Sequence, residues 1–342
     1  MKRKYQFKIA VVILNWNGKK YLEQFIPVLI ENSHVEDLAL FVADNGSTDG
    51  SVHFLKENYP EIKLILFDEN YGFTGGYNRA LRKINAEYYV ILNSDVEVSP
   101  NWIAPLIEKM DANAQIAAAM PKIKAFHNKE YFEYAGAAGG FIDKYGYPFC
   151  RGRILDTVEK DEGQYDDERE IFWASGACMF VRADIFHEQN GFDEDFFAHM
   201  EEIDLCWRMK NAGYKIMYYP DVTVYHVGGG ALPNNSPFKL YLNYRNNLFM
   251  LYKNLPSKRR FLTIFNRMIL DGVSGLVYLT RFEMKSFFVV LKAHFSFYAA
   301  LKSLKQKRKI LSEQKRQKEQ FPYSILYRYF IKKQKKFKNL DF

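Results

Sequence analysis

Over its first 110 residues the chain switches repeatedly between short β-branched or aliphatic runs and segments with helical spacing. Few folds accommodate that alternation, and a mostly parallel sheet covered by its connecting helices is the expected one. Residues 9–14 form a continuous apolar run, as in a strand buried on both faces. Residues 19–30 place Tyr21, Leu22, Phe25, Val28 and Leu29 along one helical side. Residues 38–43, 62–67 and 88–92 read as further strands. Residues 49–58, 76–84 and 100–110 read as helices, the first announced by Ser47, Thr48 and Asp49.

The opening MKRKYQF has the basic charge of a signal peptide. The apolar run behind it is short, ends on Asn15, Trp16 and Asn17, and shows no small-residue cleavage site, so a buried strand is expected. Three widely spaced cysteines, Cys150, Cys178 and Cys206, imply no disulfide framework and fit a reducing compartment, the cytoplasm. Residues 131–150, rich in Gly and aromatics, suggest hairpins, and the acidic stretch 156–170 a loop. Residues 173–181 return to strand character, 201–211 to helix, and 215–219 and 222–227 read as two short strands around Pro220.

From Ser236 onward the pattern is helical. Residues 261–301 are apolar but interrupted by Arg267, Asp271, Arg281, Glu283, Lys285 and Lys292. That frequency of charge suits amphipathic helices on a surface rather than an uncharged run of about 20 residues crossing a bilayer. The formal net charge is +8, but from Lys302 onward 14 Lys/Arg face 3 Asp/Glu, a balance of +11, which leaves −3 for the remainder. Attraction to an anionic membrane therefore belongs to the end of the chain, and no nucleic-acid partner is expected. The expected organisation is an α/β domain over 1–235, an amphipathic helical extension over 236–301 and a basic, membrane-associating tail over 302–342.

Three of the strands end in polar clusters: Asn15-Trp16-Asn17-Gly18, Asp44-Asn45-Gly46-Ser47-Thr48-Asp49 and Asn93-Ser94-Asp95. Any one of them is an ordinary turn sequence. Three at the carboxyl edge of one sheet mark the place where open α/β sheets bind ligands. With VVILNWNG, VADNGSTDGS, ENYGFTGGYNRA, YYVILNSDVEV, WASGACMFVRADIF, GFDEDFFAHMEEIDLCWRMKNAGYK and VYHVGGG in this order, the chain resembles the inverting family 2 glycosyltransferases of GT-A fold over residues 9–230. It is most similar to the branch of bacterial rhamnosyltransferases and related cell-surface polysaccharide enzymes.

The resemblance implies a Rossmann-like central sheet and roles for particular residues. Asp44 would accept a hydrogen bond from the pyrimidine N–H of the donor, with Asn15 beside the nucleoside. The loop at 70–76, with Gly72 and Gly76, would close around the nucleotide, with Asn78 early in the following helix. Asp95 matches the second acid of the family's D-x-D metal motif, whose first position here is Asn93, with Ser94 between them. His226 would add a nitrogen ligand, so that Asp95 and His226 hold Mg²⁺ or Mn²⁺. Glu202 stands at the catalytic-base position, with Glu201 or Asp204 as alternatives. Trp173, Ser175 and Gly176 would line the acceptor side. The residues by themselves leave blander readings open: Asp95 as the cap of a strand, the acids at 201–204 as a charged helix start with Asp204 paired to Arg208, and Trp173 as core.

The implied activity is transfer from dTDP-rhamnose or a UDP-sugar to a glycan or lipid-linked glycan on the cytoplasmic face of the membrane, with peripheral attachment. A sugar-1-phosphate nucleotidyltransferase is the first rival, but NWNGKKY lacks the basic Gly-rich phosphate loop such an enzyme carries after its first strand. A non-catalytic nucleotide-sugar-binding scaffold is the second, suggested by Asn93 and the Glu201-Glu202 pair.

Overall fold

A computed structural model describes residues 4–228 and 236–342. The glycines at 229 and 230 that close the VYHVGGG motif lie outside the described residues. The order of elements begins β1 (Phe7–Asn15), α1 (Lys19–Asn32), β2 (Leu38–Asn45), α2 (Ser51–Asn58), β3 (Lys63–Phe67), α3 (Gly72–Leu81) and β4 (Ala86–Asn93). It continues with β5 (Val96–Val98), α4 (Ala104–Asp111), β6 (Ile116–Ala125) and β7 (Asn128–Phe132). A series of short strands follows: β8 (Gly140–Asp143), β9 (Pro148–Cys150), β10 (Arg153–Ile154), β11 (Thr157–Val158) and β12 (Arg169–Glu170). Then come β13 (Cys178–Arg182), α5 (Ala183–Glu188), α6 (Glu201–Asn211) and β14 (Lys215–His226).

The main sheet has the order β12-β14-β6-β13-β4-β1-β2-β3, with β5 on β14 and β7 on β6. β3, β2, β1 and β4 are mutually parallel, and β13 runs antiparallel between β4 and β6. The continuous apolar runs of β1 and β4 occupy the centre, where Ala10, Val12, Val90 and Ile91 have no solvent exposure. β14 is one strand, not two: it bends through a register shift between Tyr219 and Thr223, which accommodates Pro220 without ending the ladder.

The C-terminal region departs further from expectation. It consists of α7 (Pro237–Asn254), α8 (Ser257–Thr280), α9 (Met284–Lys309) and a final strand, β15 (Gln320–Phe321). The expected boundary at 301/302 falls inside α9. α7 contributes Leu248, Met250 and Leu251 to the central core, so this part of the chain beyond 235 packs into the same body as the main sheet. The basic end is not an extended tail. β15 completes a second sheet, β11-β10-β9-β8-β15, and Phe321, Ile325, Tyr329, Phe337 and Leu340 are buried. The Phe337 and Phe342 rings pack on Phe141 of β8, with centroids 5.3 and 5.2 Å away. The lysines between these anchors stay in solvent while the aromatics dock, a division that net charge cannot reveal. The Tyr329 hydroxyl lies 2.8 Å from the Thr157 hydroxyl. Tyr329→Phe is therefore expected to cost about 1 kcal/mol, read as a shift in denaturant midpoint. No shift would mean that this contact does not hold the end of the chain down.

Candidate functional site

The polar ends of β1, β2 and β4 open onto one cleft of about 420 Å³. Trp16, Asn17, Asn45, Gly72, Asn93, Ser94 and Asp95 line its sheet side. Ser175, Gly176, Phe197, His199, Glu201, Glu202, His226 and Lys239 line the rest.

Asp95 follows β4 directly and precedes β5. Because β5 pairs with the end of β14, His226 lies opposite Val96 in the ladder. That pairing brings together two residues 131 positions apart: His226 Nε2 is 3.1 Å from Asp95 Oδ1. Asn93 Nδ2 is 3.3 Å from the same nitrogen. On the other side of the ring, Nδ1 is 3.4 Å from the buried Glu133 carboxylate. Burial alone would lower the His226 pKa, but the Glu133 charge and the Asp95 hydrogen bond lift it to about 10. Burial alone would raise Asp95, and the bond to His226 outweighs it, leaving the carboxyl below its usual range.

This arrangement suits a divalent cation in part. A carboxylate oxygen and an imidazole nitrogen converge at the cleft wall, a donor pair compatible with Mn²⁺ or Mg²⁺. Among the described residues no group of three or more His, Cys, Asp or Glu is arranged to hold a metal ion. Among the described residues, Asp95 and His226 are the carboxylate and imidazole donors that meet at this wall.

Glu201 and Glu202 open α6 after a segment of backbone held in the left-handed region: Phe197, His199 and Met200 have φ of 64°, 68° and 72°. Such conformations cost about 1–3 kcal/mol each and persist only where the surroundings impose them. Asn246 of α7, fully buried, supplies the constraint: its Nδ2 lies 2.9, 2.8 and 2.8 Å from the carbonyl oxygens of Phe196, Ala198 and His199. Sequence reasoning missed Asn246. Its only signal was its place among several asparagines in a largely aromatic and apolar helix. Burial raises the Glu202 carboxyl to about 7. Burial, and then the charge of Glu202, hold Glu201 well above the usual carboxylate range. Glu201 Oε2 and Glu202 Oε2 are both buried without a hydrogen-bond partner among the described residues. Burial also lowers His199 to about 4, so its imidazole is neutral.

Several expected site residues sit elsewhere. Asp204 has no solvent exposure and accepts from Arg208 Nε at 2.8 Å, Lys253 Nζ at 2.9 Å and Asn254 Nδ2 at 2.8 Å. It ties α6 to α7 and does not line the cleft, so it is not available as a base. Trp173 is core: its Nε1 donates to the Phe141 carbonyl, and its ring lies so close to Gly140 that a Cβ there would stand 2.1 Å from it. Asn78 is a buried latch between α3 and the segment before α6, donating to the Phe192 carbonyl and accepting from the Phe192 N–H. Gly76 lets α3 approach β1, since a Cβ there would meet Leu14 at 2.7 Å. Gly72 does line the cleft, with φ of +70° and its Cα against Phe197.

Asn15 and Asp44 bond each other at 2.9 Å and are almost fully buried. Asp44 also accepts from the Ser47 N–H at 2.9 Å. Neither lines the cleft, and their neighbours Trp16, Asn17 and Asn45 do. Trp16, in the polar segment that ends β1, is exposed and lines the cleft. Its ring offers a flat apolar surface at the rim.

The sequence matches Glycosyl transferase family 2 over residues 10–189. It is 26% identical over 232 residues to an N-acetylglucosaminyl-diphospho-decaprenol L-rhamnosyltransferase of Mycobacterium tuberculosis, covering 64% of this chain and 75% of that one. It is 24% identical over 262 residues to a dTDP-rhamnosyl transferase, RfbF, of Shigella flexneri, covering 72% and 80%. The fold is similar to that of GalNAc-T7 solved with UDP, GalNAc and Mn²⁺, with a TM-score of 0.58 and 16% identity, over 75% of this chain and 49% of that one.

Proposed function

The chain belongs to glycosyl transferase family 2, and we propose that it moves a sugar, with inversion, from a dTDP- or UDP-sugar to a hydroxyl of a lipid-linked glycan in cell-surface polysaccharide synthesis. The observation that carries this reading is the meeting of two sets of polar groups in one cleft. The Asp95–His226 pair occupies one wall, and Glu202, whose Oε2 has no hydrogen-bond partner among the described residues, another. The name of one relative, a dTDP-rhamnosyl transferase, agrees with it.

Glu202 takes the proton from the acceptor hydroxyl as that oxygen attacks the anomeric carbon. The constrained 197–200 segment and the Asp204 ion pairs hold its backbone, so the base meets a bound acceptor in a single orientation. Asp95 and His226 are the residues that would hold Mg²⁺ or Mn²⁺. Such an ion, when bound, neutralises charge on the departing nucleoside diphosphate. His226 must give up its Nε2 proton to take a cation, so metal affinity rises with pH. Ser175 and Gly176 lie on the acceptor side. The place of action is the cytoplasmic face of the membrane, where a lipid-linked acceptor is presented.

The test is Mn²⁺ binding in the presence of UDP or dTDP, followed by titration calorimetry. Asp95→Ala is expected to weaken Mn²⁺ by roughly tenfold to a hundredfold, at least the effect usual for losing a supporting partner of a metal ligand. Unchanged Mn²⁺ affinity in this variant would remove Asp95 from the metal site.

A further inference from the structure

α8 and α9 form a hairpin whose inward and outward faces differ in chemistry. Inward, Arg267 and Asp271 pair at 2.8 Å, and the Arg267 guanidinium stacks on Tyr147 at 3.8 Å. These are the only charged residues between 261 and 280, and both are buried. Outward, Phe261, Phe265 and Ile269 form an i, i+4, i+8 stripe on α8, and Phe288, Leu291 and Phe295 an i, i+3, i+7 stripe on α9. Phe261 is 81% exposed, Phe295 70%, and Phe282 at the turn 92%. Scattered exposed apolar residues are normal, whereas two stripes that continue to Val277 on α8 and to Tyr298 on α9 are not.

By length and composition each helix is apolar enough to cross a membrane, with an 18-residue window of mean hydropathy 1.2. Most of the hairpin's exposed charges lie towards the ends: Lys258, Arg259, Lys302, Lys305 and Lys309 at one, and Arg281, Glu283 and Lys285 at the other, both net basic. Lys292, midway along α9, is exposed and lies 5.1 Å over the Tyr241 ring of α7. In a two-fold pairing of copies, parallel or antiparallel, these basic ends would meet one another and repel. Lipid phosphates would instead complement them.

The hairpin is also placed with respect to the cleft. α7 begins at the cleft mouth, where Lys239 lines the cavity and Phe238 packs on Phe197. α9 runs alongside α7 in the same direction, with Tyr241 bonded to Ser296 and the Lys253 carbonyl to Arg308. Twelve residues of α9 precede Ser296 against four of α7 before Tyr241, so the hairpin turn reaches about 12 Å beyond the start of α7.

We propose that the outer face of the α8–α9 hairpin embeds in one leaflet of a bilayer bearing anionic headgroups and so holds the cleft mouth beside the membrane surface. The attachment is the apolar hairpin, with basic residues at its ends, and not the segment from β15 onward, which is docked on the second sheet. The proposal rests on the glycosyltransferase reading only for its consequence, that an acceptor anchored in the same leaflet reaches Glu202 without leaving the membrane.

The test uses the full chain. Its three native cysteines are buried, so Phe265→Cys, Phe282→Cys and Phe295→Cys can each carry an environment-sensitive fluorophore. With phosphatidylglycerol-containing vesicles all three labels are expected to shift to the blue and to be quenched by acyl-chain quenchers. A label at His53→Cys, an exposed position on α2, is expected to do neither. Combined Phe265→Ser, Phe282→Ser and Phe295→Ser is expected to weaken vesicle binding by roughly tenfold or more, with slow donor hydrolysis in solution retained. Labels that stay in water, or complete release of the wild-type chain by high salt, would overturn embedding. Self-association that persists when vesicles are added would assign the face to a second copy. Membrane insertion without donor hydrolysis would leave the hairpin proposal standing and count against the catalytic one.

Discussion

Glu202→Gln is expected to lower kcat by about 10²–10⁴-fold, the usual contribution of a positioned general base. The amide keeps the shape of the carboxyl and cannot take a proton. The choice between the two adjacent acids follows from electrostatics. Two carboxylates at the start of α6, both shielded from water, do not ionise together. Glu201 is held well above the usual range by burial and by the charge of Glu202, so Glu201 keeps its proton and Glu202 carries the charge. With Glu202 raised to about 7 by burial, its basic form is lost as pH falls through that value. The wild-type rate should therefore fall about tenfold per pH unit well below 7, and the residual rate of Glu202→Gln should not follow that limb. Glu201→Gln should have the smaller effect. The measurement is a pH profile of kcat at saturating donor and acceptor. A full-rate Glu202→Gln enzyme beside an inactive Glu201→Gln enzyme would move the base to Glu201.

Asp204→Ala is expected to destabilise the fold by about 3–5 kcal/mol, because it strands buried cations. Arg208 and Lys253 both point at this carboxylate and are themselves almost fully buried. Lys253 retains a second partner, Asp193, at 2.6 Å, and Arg208 retains the Gly191 carbonyl at 2.8 Å, which keeps the loss within that range. Asp204→Asn should cost less than Ala, since it still offers one oxygen. Denaturant unfolding measures the difference. Adding Lys253→Met to Asp204→Ala should recover part of it, as expected when the penalty comes from an unpaired charge. If Asp204→Ala left stability unchanged while abolishing transfer, Asp204 would be a catalytic group and not a tie between helices.

Much of the site was legible because its parts are local. The polar ends of three strands, the glycine-bearing loop before α3 and the acids opening α6 each announce themselves within a few residues. Their misassignments were local too. Asn78, Gly76, Trp173 and Asp204 lie inside stretches that resemble the family's motifs, yet each spends its side chain, or the lack of one, on packing its own element against the next. A motif specifies residues, and only the surrounding contacts specify whether an oxygen faces the cleft or a neighbouring helix.

Local period determined the elements themselves. Continuous apolar runs became central strands, and the spacing of Tyr21 to Leu29 became a helix, because burial of one face or two is written directly into the order of residues. Pairing over long separations was decided only by the tertiary structure. Asp95 meets His226 because β5 joins the end of β14, and Asn246 constrains the loop before Glu201 because α7 folds back across it. The fate of the C-terminus was likewise hidden. Its lysines dominate any average, whereas its fold depends on five spaced apolar anchors finding the exposed edge and face of a second sheet, a match between surfaces that exist only after folding.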